Sequence, residues 1–242
     1  MSATAPIDFS IVIPVYNEQD NLEAMVREIL AAFAGRPERF EALFVDDAST
    51  DDSIARLERL AEETGVVRYL RHRRNFGQSA AIATGFRAAR GAWIGTLDGD
   101  GQNDPADLPK MLDVARQQGV DCVTGVRARR QDSAVRKISS RLANRFRDWM
   151  TGDRVTDSAC GARVLRAECV TELPVFNGLH RFMPTLLRAK GYRVVELAVN
   201  HRPRLCGVSK YGVHNRLWRG LRDCFGVRWL VVRSVPGKRL HD

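Results

Sequence analysis

The sequence predicts an α/β protein built on a mostly parallel sheet flanked by helices. Three observations predict it. Short apolar runs of strand length alternate with amphipathic stretches of helix length from residue 9 to residue 125. Such alternation implies right-handed crossovers between parallel strands. The residues with chemistry to offer also stand where the apolar runs end, which is where open α/β sheets bind ligands.

Phe9 to Val15 reads as a buried strand. Asn17 to Phe33 reads as a helix with Leu22, Val26, Ile29, Leu30 and Phe33 on one stripe, stopped by Gly35 and Pro37. Phe40 to Val45 is the second strand, ending in Asp46-Asp47. Ser49 or Thr50 is expected to cap the next helix, which carries Ile54, Leu57 and Leu60. Val66 to Leu70 is the third strand, Gln78 to Ala89 a helix, and Ala92 to Leu97 the fourth strand. A helix over Pro105 to Gln117 leads to a fifth strand at Asp121 to Gly125. Beyond residue 130 the alternation weakens. Ala134 to Met150 reads as a long helix with the apolar stripe Val135, Ile138, Leu142, Phe146 and Trp149. A helix near Arg181–Lys190, a strand at Arg193–Val199, an arginine-rich loop to Lys210 and a final helix from about Gly212 complete the chain. No internal repeat or linker interrupts it, so residues 1–242 read as a single domain.

Charge divides that domain. Residues 1–126 carry 13 Lys/Arg against 20 Asp/Glu, net −7, whereas residues 127–242 carry 25 against 9, net +16. A basic half invites phosphate, nucleic acid or an anionic membrane. Nucleic acid is set aside, because no zinc-finger spacing or RNA-binding aromatic motif occurs and the basic residues interleave with apolar ones at helical spacing. Cysteines 122, 160, 169, 206 and 224 form no Cys-x-x-Cys pair and are odd in number, which fits reduced thiols in the cytosol. The start of the chain lacks the basic-then-apolar pattern of a signal peptide. No apolar run approaches the roughly 18–20 residues of a transmembrane helix.

The densest motif is Thr96-Leu-Asp-Gly-Asp-Gly-Gln-Asn-Asp-Pro105. Asp98, Asp100 and Gln102 occupy alternate positions, so an extended segment would point all three the same way. Hard oxygen donors at a strand end suit Mg²⁺ or Mn²⁺ shared with a diphosphate, as a nucleotide-sugar transferase requires. The plainer reading is an acidic turn before a helix that starts at Asp104-Pro105. Tyr16-Asn-Glu18, Asp46-Asp47, Asp98–Gln102 and Arg127 follow four different strands, and four strand ends converging on one rim is more than helix capping needs.

With these pieces in order, the chain resembles glycosyltransferase family two, and within it the dolichyl- and polyprenyl-phosphate glycosyltransferases. The resemblance spans roughly 8 to 225. It rests on Ile13-Pro-Val-Tyr-Asn-Glu18, Val45-Asp-Asp-Ala-Ser-Thr-Asp51, Asn75 to Gly85, Leu97-Asp-Gly-Asp-Gly-Gln102, Asp157-Ser-Ala-Cys-Gly-Ala-Arg163 and Arg204-Leu-Cys-Gly-Val-Ser-Lys-Tyr211. It implies a Rossmann-like GT-A fold and a metal-dependent, inverting hexosyltransferase. By resemblance Pro14, Tyr16 and Glu18 line the nucleotide pocket and Asp47 meets the base or ribose. Asp98 is expected near the ribose or sugar and, with Asp100 and Gln102, at the Mg²⁺ or Mn²⁺. Tyr16 and Glu18 also suit a helix N-terminus, and the two roles are compatible. The small residues at 80, 81, 83, 84 and 85 favour close packing of a helix, with ligand contact from its first N–H groups as the alternative.

Arg136, Ser140, Asn144 and Arg147 form a polar stripe beside the apolar one on the 134–150 helix. Arg127 to Arg147 holds eight basic residues against Asp132 alone. The resemblance assigns Arg127, Arg136 and Ser140 to the acceptor phosphate, and Arg204 and Lys210 to a loop closing on phosphates. Arginine's fork suits phosphate oxygens. Asp157 is the candidate beside the attack site, to orient the sugar or to act as base.

On the last helix Val213, Leu217, Trp218, Leu221, Cys224 and Phe225 are expected on one side, flanked by Arg216, Arg219 and Arg222 and followed by Trp229 to Val232. An interfacial helix and a core-packing helix both fit. The expected partners are therefore a UDP- or GDP-sugar, a polyprenyl (undecaprenyl or dolichyl) phosphate and an anionic membrane surface on the cytoplasmic side. A separate integral-membrane partner is the alternative anchor. A family-two enzyme using a saccharide hydroxyl in polysaccharide or cell-envelope synthesis is the competing function. A non-catalytic membrane-associated module fits less well, because it need not keep Asp98, Asp100 and Gln102.

Overall fold

The computed structural model describes residues 6–127, 146–203 and 213–233. In chain order the elements are β1 (Phe9–Val15), α1 (Gln19–Ala32), β2 (Phe40–Asp46), α2 (Ser53–Thr64), β3 (Val67–Arg71), α3 (Gln78–Ala88), β4 (Trp93–Thr96), α4 (Asp107–Gln118) and β5 (Cys122–Arg127). There follow α5, described over 146–151, then β6 (Arg163–Arg166), α6 (Ala167–Thr171), α7 (Leu179–Ala189), β7 (Val194–Val199) and α8 (Val213–Arg233). One seven-stranded sheet runs in the order β3-β2-β1-β4-β6-β5-β7. β1 pairs in parallel with β2 and β4, β2 with β3, and β5 with β7. β6 alone runs antiparallel, between β4 and β5.

The apolar runs explain the sheet. β1 and β2 are buried almost end to end, as strands covered on both faces must be. One core layer packs Phe9, Ile11, Ile13 and Phe44 against α1, α2 and α4. The other packs Val12, Leu43 and Ile94 against α3, α7 and α8. α3 reaches the sheet so closely that a Cβ on Gly85 would lie 2.3 Å from Val12 Cγ1 and 3.3 Å from Val45 Cγ2. The small-residue run is thus a packing device at Gly85. Gly85→Ala is expected to destabilise the protein by about 1–3 kcal/mol through overpacking. Thermal unfolding should register roughly 3–10 °C of lost Tm. An unchanged Tm would show that α3 can stand off β1 freely.

Several local expectations need correction. Asn17 lies outside α1 with φ 54°, a left-handed turn that asparagine tolerates, and the helix begins two residues later. Leu30 is exposed, not part of the buried stripe of α1. Neither Ser49 nor Thr50 caps α2, which starts at Ser53 behind Asp52. Strand β6 and helix α6 escaped periodicity, because Arg163-Val-Leu-Arg166 is only four residues long and bounded by arginines. Trp149 is 74% exposed and off any buried stripe. Arg147 of the polar stripe is buried: it donates to the carbonyl of Val155 and, at 2.8 Å, to Asp148. Phe146 is partly buried against the core, whereas Val135, Arg136, Ile138, Ser140, Leu142 and Asn144 lie outside the described residues. Cys122, Cys160, Cys169 and Cys224 are buried free thiols, and Cys206 falls outside the described set.

Candidate active site

Loops after β1 and β2 are stitched into one platform. Asn17 Oδ1 accepts from Thr50 N at 2.7 Å, and Ser49 Oγ accepts from Asn17 N at 2.9 Å. Ser53 Oγ accepts from Glu18 N at 3.1 Å, and Gln19 Oε1 accepts from Asp52 N at 2.8 Å. The hydroxyls expected to cap α2 therefore hold two strand-end loops together. Glu18 stands at the N-cap position of α1 without a side-chain cap bond; its carboxylate accepts from Asn21 Nδ2 at 2.8 Å. Pro14 sits beside the acidic motif, since a Cβ on Gly99 would come within 2.6 Å of its carbonyl oxygen. Tyr16 is half-buried on the same rim. Asp47 is buried and shapes the loop before α3. Its Oδ1 meets His72 Nδ1 at 2.7 Å and accepts from Phe76 N at 2.9 Å, and its Oδ2 accepts from Gly77 N at 2.7 Å.

The acidic motif is a turn, not the extended segment expected. β4 ends at Thr96, Gly101 has φ 71°, and Asp100 Oδ1 accepts from Gln102 N at 3.2 Å. Short polar side chains that bond the backbone two residues on favour such turns over strand. Asp98 points to α3, where its Oδ1 accepts from Gln78 Nε2 at 2.7 Å. Its other flank is the 157–161 loop: a Cβ on Gly161 would lie 2.2 Å from Asp98 Oδ2. Burial and then the Asp100 charge push Asp98 up to about 6, against Arg163 and Arg127, which pull it down. A divalent cation beside these carboxylates would relieve their repulsion, so the donor chemistry fits Mg²⁺ or Mn²⁺. Among the described residues no group of three or more His, Cys, Asp or Glu forms a complete cage.

A cavity of about 690 Å³ opens beside Asp98, lined also by Gln78, Arg127, Arg163, His180, Arg181 and Arg222. Its size lies in the ligand-pocket range. Asp157 stands behind it, 5% exposed, and accepts from Arg127 Nε at 2.6 Å and Nη2 at 2.7 Å, with Arg127 N at 3.3 Å. The structure thus pairs two residues expected in separate roles. Arg163 is 2% exposed, and its Nε has no hydrogen-bond partner. Arg181 reaches Asp223 of α8 at 3.1 Å. Gln78, Arg163, His180, Arg181 and Arg222 went unassigned in the sequence. Arg163 and Gln78 lay inside quoted motifs, but nothing in spacing brought α7 and α8 to the same wall.

Arg204 and Lys210 lie outside the described residues. The chain leading to them departs beside the acidic turn: Gln102 O accepts from Arg202 N at 2.9 Å, and Asn103 bridges His201. On α8, Cys224 and Val227 are buried whereas Phe225 and Trp229 are 61% and 63% exposed and Val232 is exposed. Phe225 therefore does not share a side with Cys224; one face packs and the other looks outward. The side chains of Val213, Leu217, Trp218 and Leu221 are outside the described set. Among the described residues no helix is long and apolar enough to cross a membrane.

Comparison with known proteins agrees with this architecture. The profile of glycosyl transferase family 2 matches residues 10–173. A dodecaprenyl-phosphate galacturonate synthase of Rhizobium johnstonii is 34% identical over 236 residues, covering 96% of this chain and 70% of the relative. An undecaprenyl-phosphate 4-deoxy-4-formamido-L-arabinose transferase of Edwardsiella ictaluri is 38% identical over 242 residues, covering 98% and 74%. Among solved structures, a mannosyltransferase of Pyrobaculum calidifontis in complex with GDP-Man and Mn²⁺ superposes with TM-score 0.66 at 20% identity, over 96% of this chain and 68% of that one. Glucosyl-3-phosphoglycerate synthase of Mycobacterium tuberculosis with Mn²⁺, UDP and phosphoglyceric acid gives 0.69 at 17%, over 95% and 80%. These two show the shared GT-A fold. The chain, a glycosyltransferase, belongs to glycosyltransferase family 2.

Proposed function

We propose that the protein transfers one sugar from a nucleotide-sugar to a polyprenyl monophosphate at a membrane surface. One observation carries this reading. One cleft is lined by Asp98 together with Arg127, Arg163, Arg181 and Arg222, and Arg222 comes from α8, whose outer face exposes Phe225 and Trp229. The helix that completes the arginine lining is also the one suited to lie among lipid headgroups. The lipid-phosphate substrates named for the two relatives fit such a cleft.

The nucleotide rests on the Pro14–Glu18 platform, with Asp98 and Asp100 facing its diphosphate. Bound there, a divalent cation would neutralise the departing diphosphate; Asp98, Asp100 and Gln102 would hold it. The acceptor phosphate forms a bond from its oxygen to the anomeric carbon as the bond to the nucleoside diphosphate breaks, with inversion. A phosphate monoester is largely anionic near neutral pH, so it attacks without a general base. Asp157 fits that economy, because its oxygens already accept from the Arg127 fork and backbone. It positions Arg127. A hydroxyl acceptor would instead need a base free to take a proton.

The test is transfer itself: purified protein, Mg²⁺ or Mn²⁺, a panel of UDP- and GDP-sugars and undecaprenyl or dolichyl phosphate, with lipid-linked sugar measured. Product on a saccharide hydroxyl but none on lipid phosphate would reverse the assignment.

Membrane attachment through α8 and the basic half has its own expected outcome. Sedimentation with anionic liposomes exceeds that with neutral ones and falls as salt rises, because counterions screen the attraction. Phe225→Ser with Trp229→Ser weakens it further at fixed salt, with circular dichroism unchanged. Equal recovery in the supernatant with both liposome types at low salt would assign the aromatic face to a protein partner.

A further inference from the structure

Arginine dominates the lining of the cleft, but the side chains at the start of α3 are neutral and hydrogen-bonding. Gln78 lines the cleft and uses its Nε2 on Asp98, so Oε1 is the acceptor it has to offer. Next to it, His180 lines the same cleft from α7. Its Nδ1 lies 2.8 Å from Ser79 Oγ, which itself accepts from Gly178 N at 3.0 Å. Ser79 is buried, so the ring is anchored on its Nδ1 edge. Burial, with Arg181 and Arg163 nearby, pushes His180 down to about 3; the imidazole is neutral at any ordinary working pH. In the tautomer whose Nδ1 accepts the Ser79 hydroxyl proton, the ring carries its own proton on Nε2.

We propose that His180 Nε2 and Gln78 Oε1 read the hydroxyl edge of the transferred sugar and so determine which sugar the enzyme accepts. The arginines of the cleft suit phosphate oxygens. A neutral donor beside a neutral acceptor matches a hydroxyl, which both donates and accepts. The pair adjoins Asp98, next to the end of the diphosphate, where the sugar of a bound donor must lie. Sites built to bond a particular hydroxyl reject analogues that lack it, because their own polar groups are left unpaired. This inference rests on the donor reading above.

Binding by the full chain, measured calorimetrically with Mg²⁺ or Mn²⁺, tests it without needing turnover. The probes are UDP and GDP alone, and UDP-glucose, UDP-galactose and GDP-mannose. Asparagine mimics the Nδ1 edge of histidine and glutamine its Nε2 edge. His180→Asn is expected to lose about tenfold affinity for the preferred nucleotide-sugar, to lose preference between epimers, and to bind the free nucleoside diphosphate within about twofold of wild type. His180→Gln recovers most of the loss, and Gln78→Ala repeats it. Full affinity in His180→Asn with loss in His180→Gln would mean that the ring only anchors Ser79. Equal losses for the sugar-free nucleotide would also overturn the proposal. Wild-type protein that binds neither UDP nor GDP would remove the donor reading first, and this inference with it.

Discussion

Asp100→Ala abolishes sugar transfer, by at least about a hundredfold, in a protein that remains folded. The expectation follows from what the carboxylate touches. Asp100 Oδ1 accepts from Gln102 N at 3.2 Å, a local turn bond worth about 1 kcal/mol at most to stability. Its larger role is charge. It stands close enough to Asp98 to help raise that carboxyl to about 6, a repulsion that a bound divalent cation would relieve. Without Asp100 the departing diphosphate loses one of the ligands that would hold its counter-charge, and preorganised charge of this kind is worth about two to three orders of magnitude in rate. Circular dichroism and Tm should stay close to wild type, and excess EDTA should reproduce the mutant in the native protein. Full activity in EDTA, with no tightly bound metal left on the protein, would sink the metal assignment and leave Asp100 as a turn residue.

Much of this architecture was legible because burial on two faces leaves a mark that needs no context. β1, β2 and β4 are mostly apolar and buried, and α1, α2 and α4 are striped against them, so the parallel core and the rim at its strand ends follow from pattern alone. What pattern could not show is what depends on pairing across the sheet. β6 is invisible as a strand because its four residues include two arginines. Arg163 is nevertheless buried, because β6 is paired on both sides, with β4 and β5. The acidic motif was read as extended from alternate spacing; the glycine at positive φ and the Asp100 side chain make it a turn instead. On α8 a single stripe was expected, and the structure divides it, because Cys224 and Val227 face α7 while Phe225 and Trp229 point away. Gln78 and His180 come from helices separated by about a hundred residues in sequence, a juxtaposition no spacing encodes.

Arg127→Ala is expected to cost stability as well as transfer, and the effect separates two roles for one ion pair. The pair is enclosed, with side-chain exposures of 13% for Arg127 and 6% for Asp157. Removing the guanidinium takes two close donors from a buried carboxylate, and breaking such a pair from one side costs about 3–5 kcal/mol. In a chain of this size that is roughly 6–20 °C of Tm. Replacing both partners by apolar residues of similar volume, Arg127→Met with Asp157→Leu, removes the stranded charge and should recover most of that loss. Transfer then decides the matter. If Arg127 also grips the acceptor phosphate, the stabilised double variant stays nearly inactive, and raising the lipid phosphate concentration restores more of its rate than raising the nucleotide-sugar. If the pair only braces the 157–161 loop against Asp98, the double variant regains transfer along with its Tm, and the phosphate must be held by other arginines of the cleft.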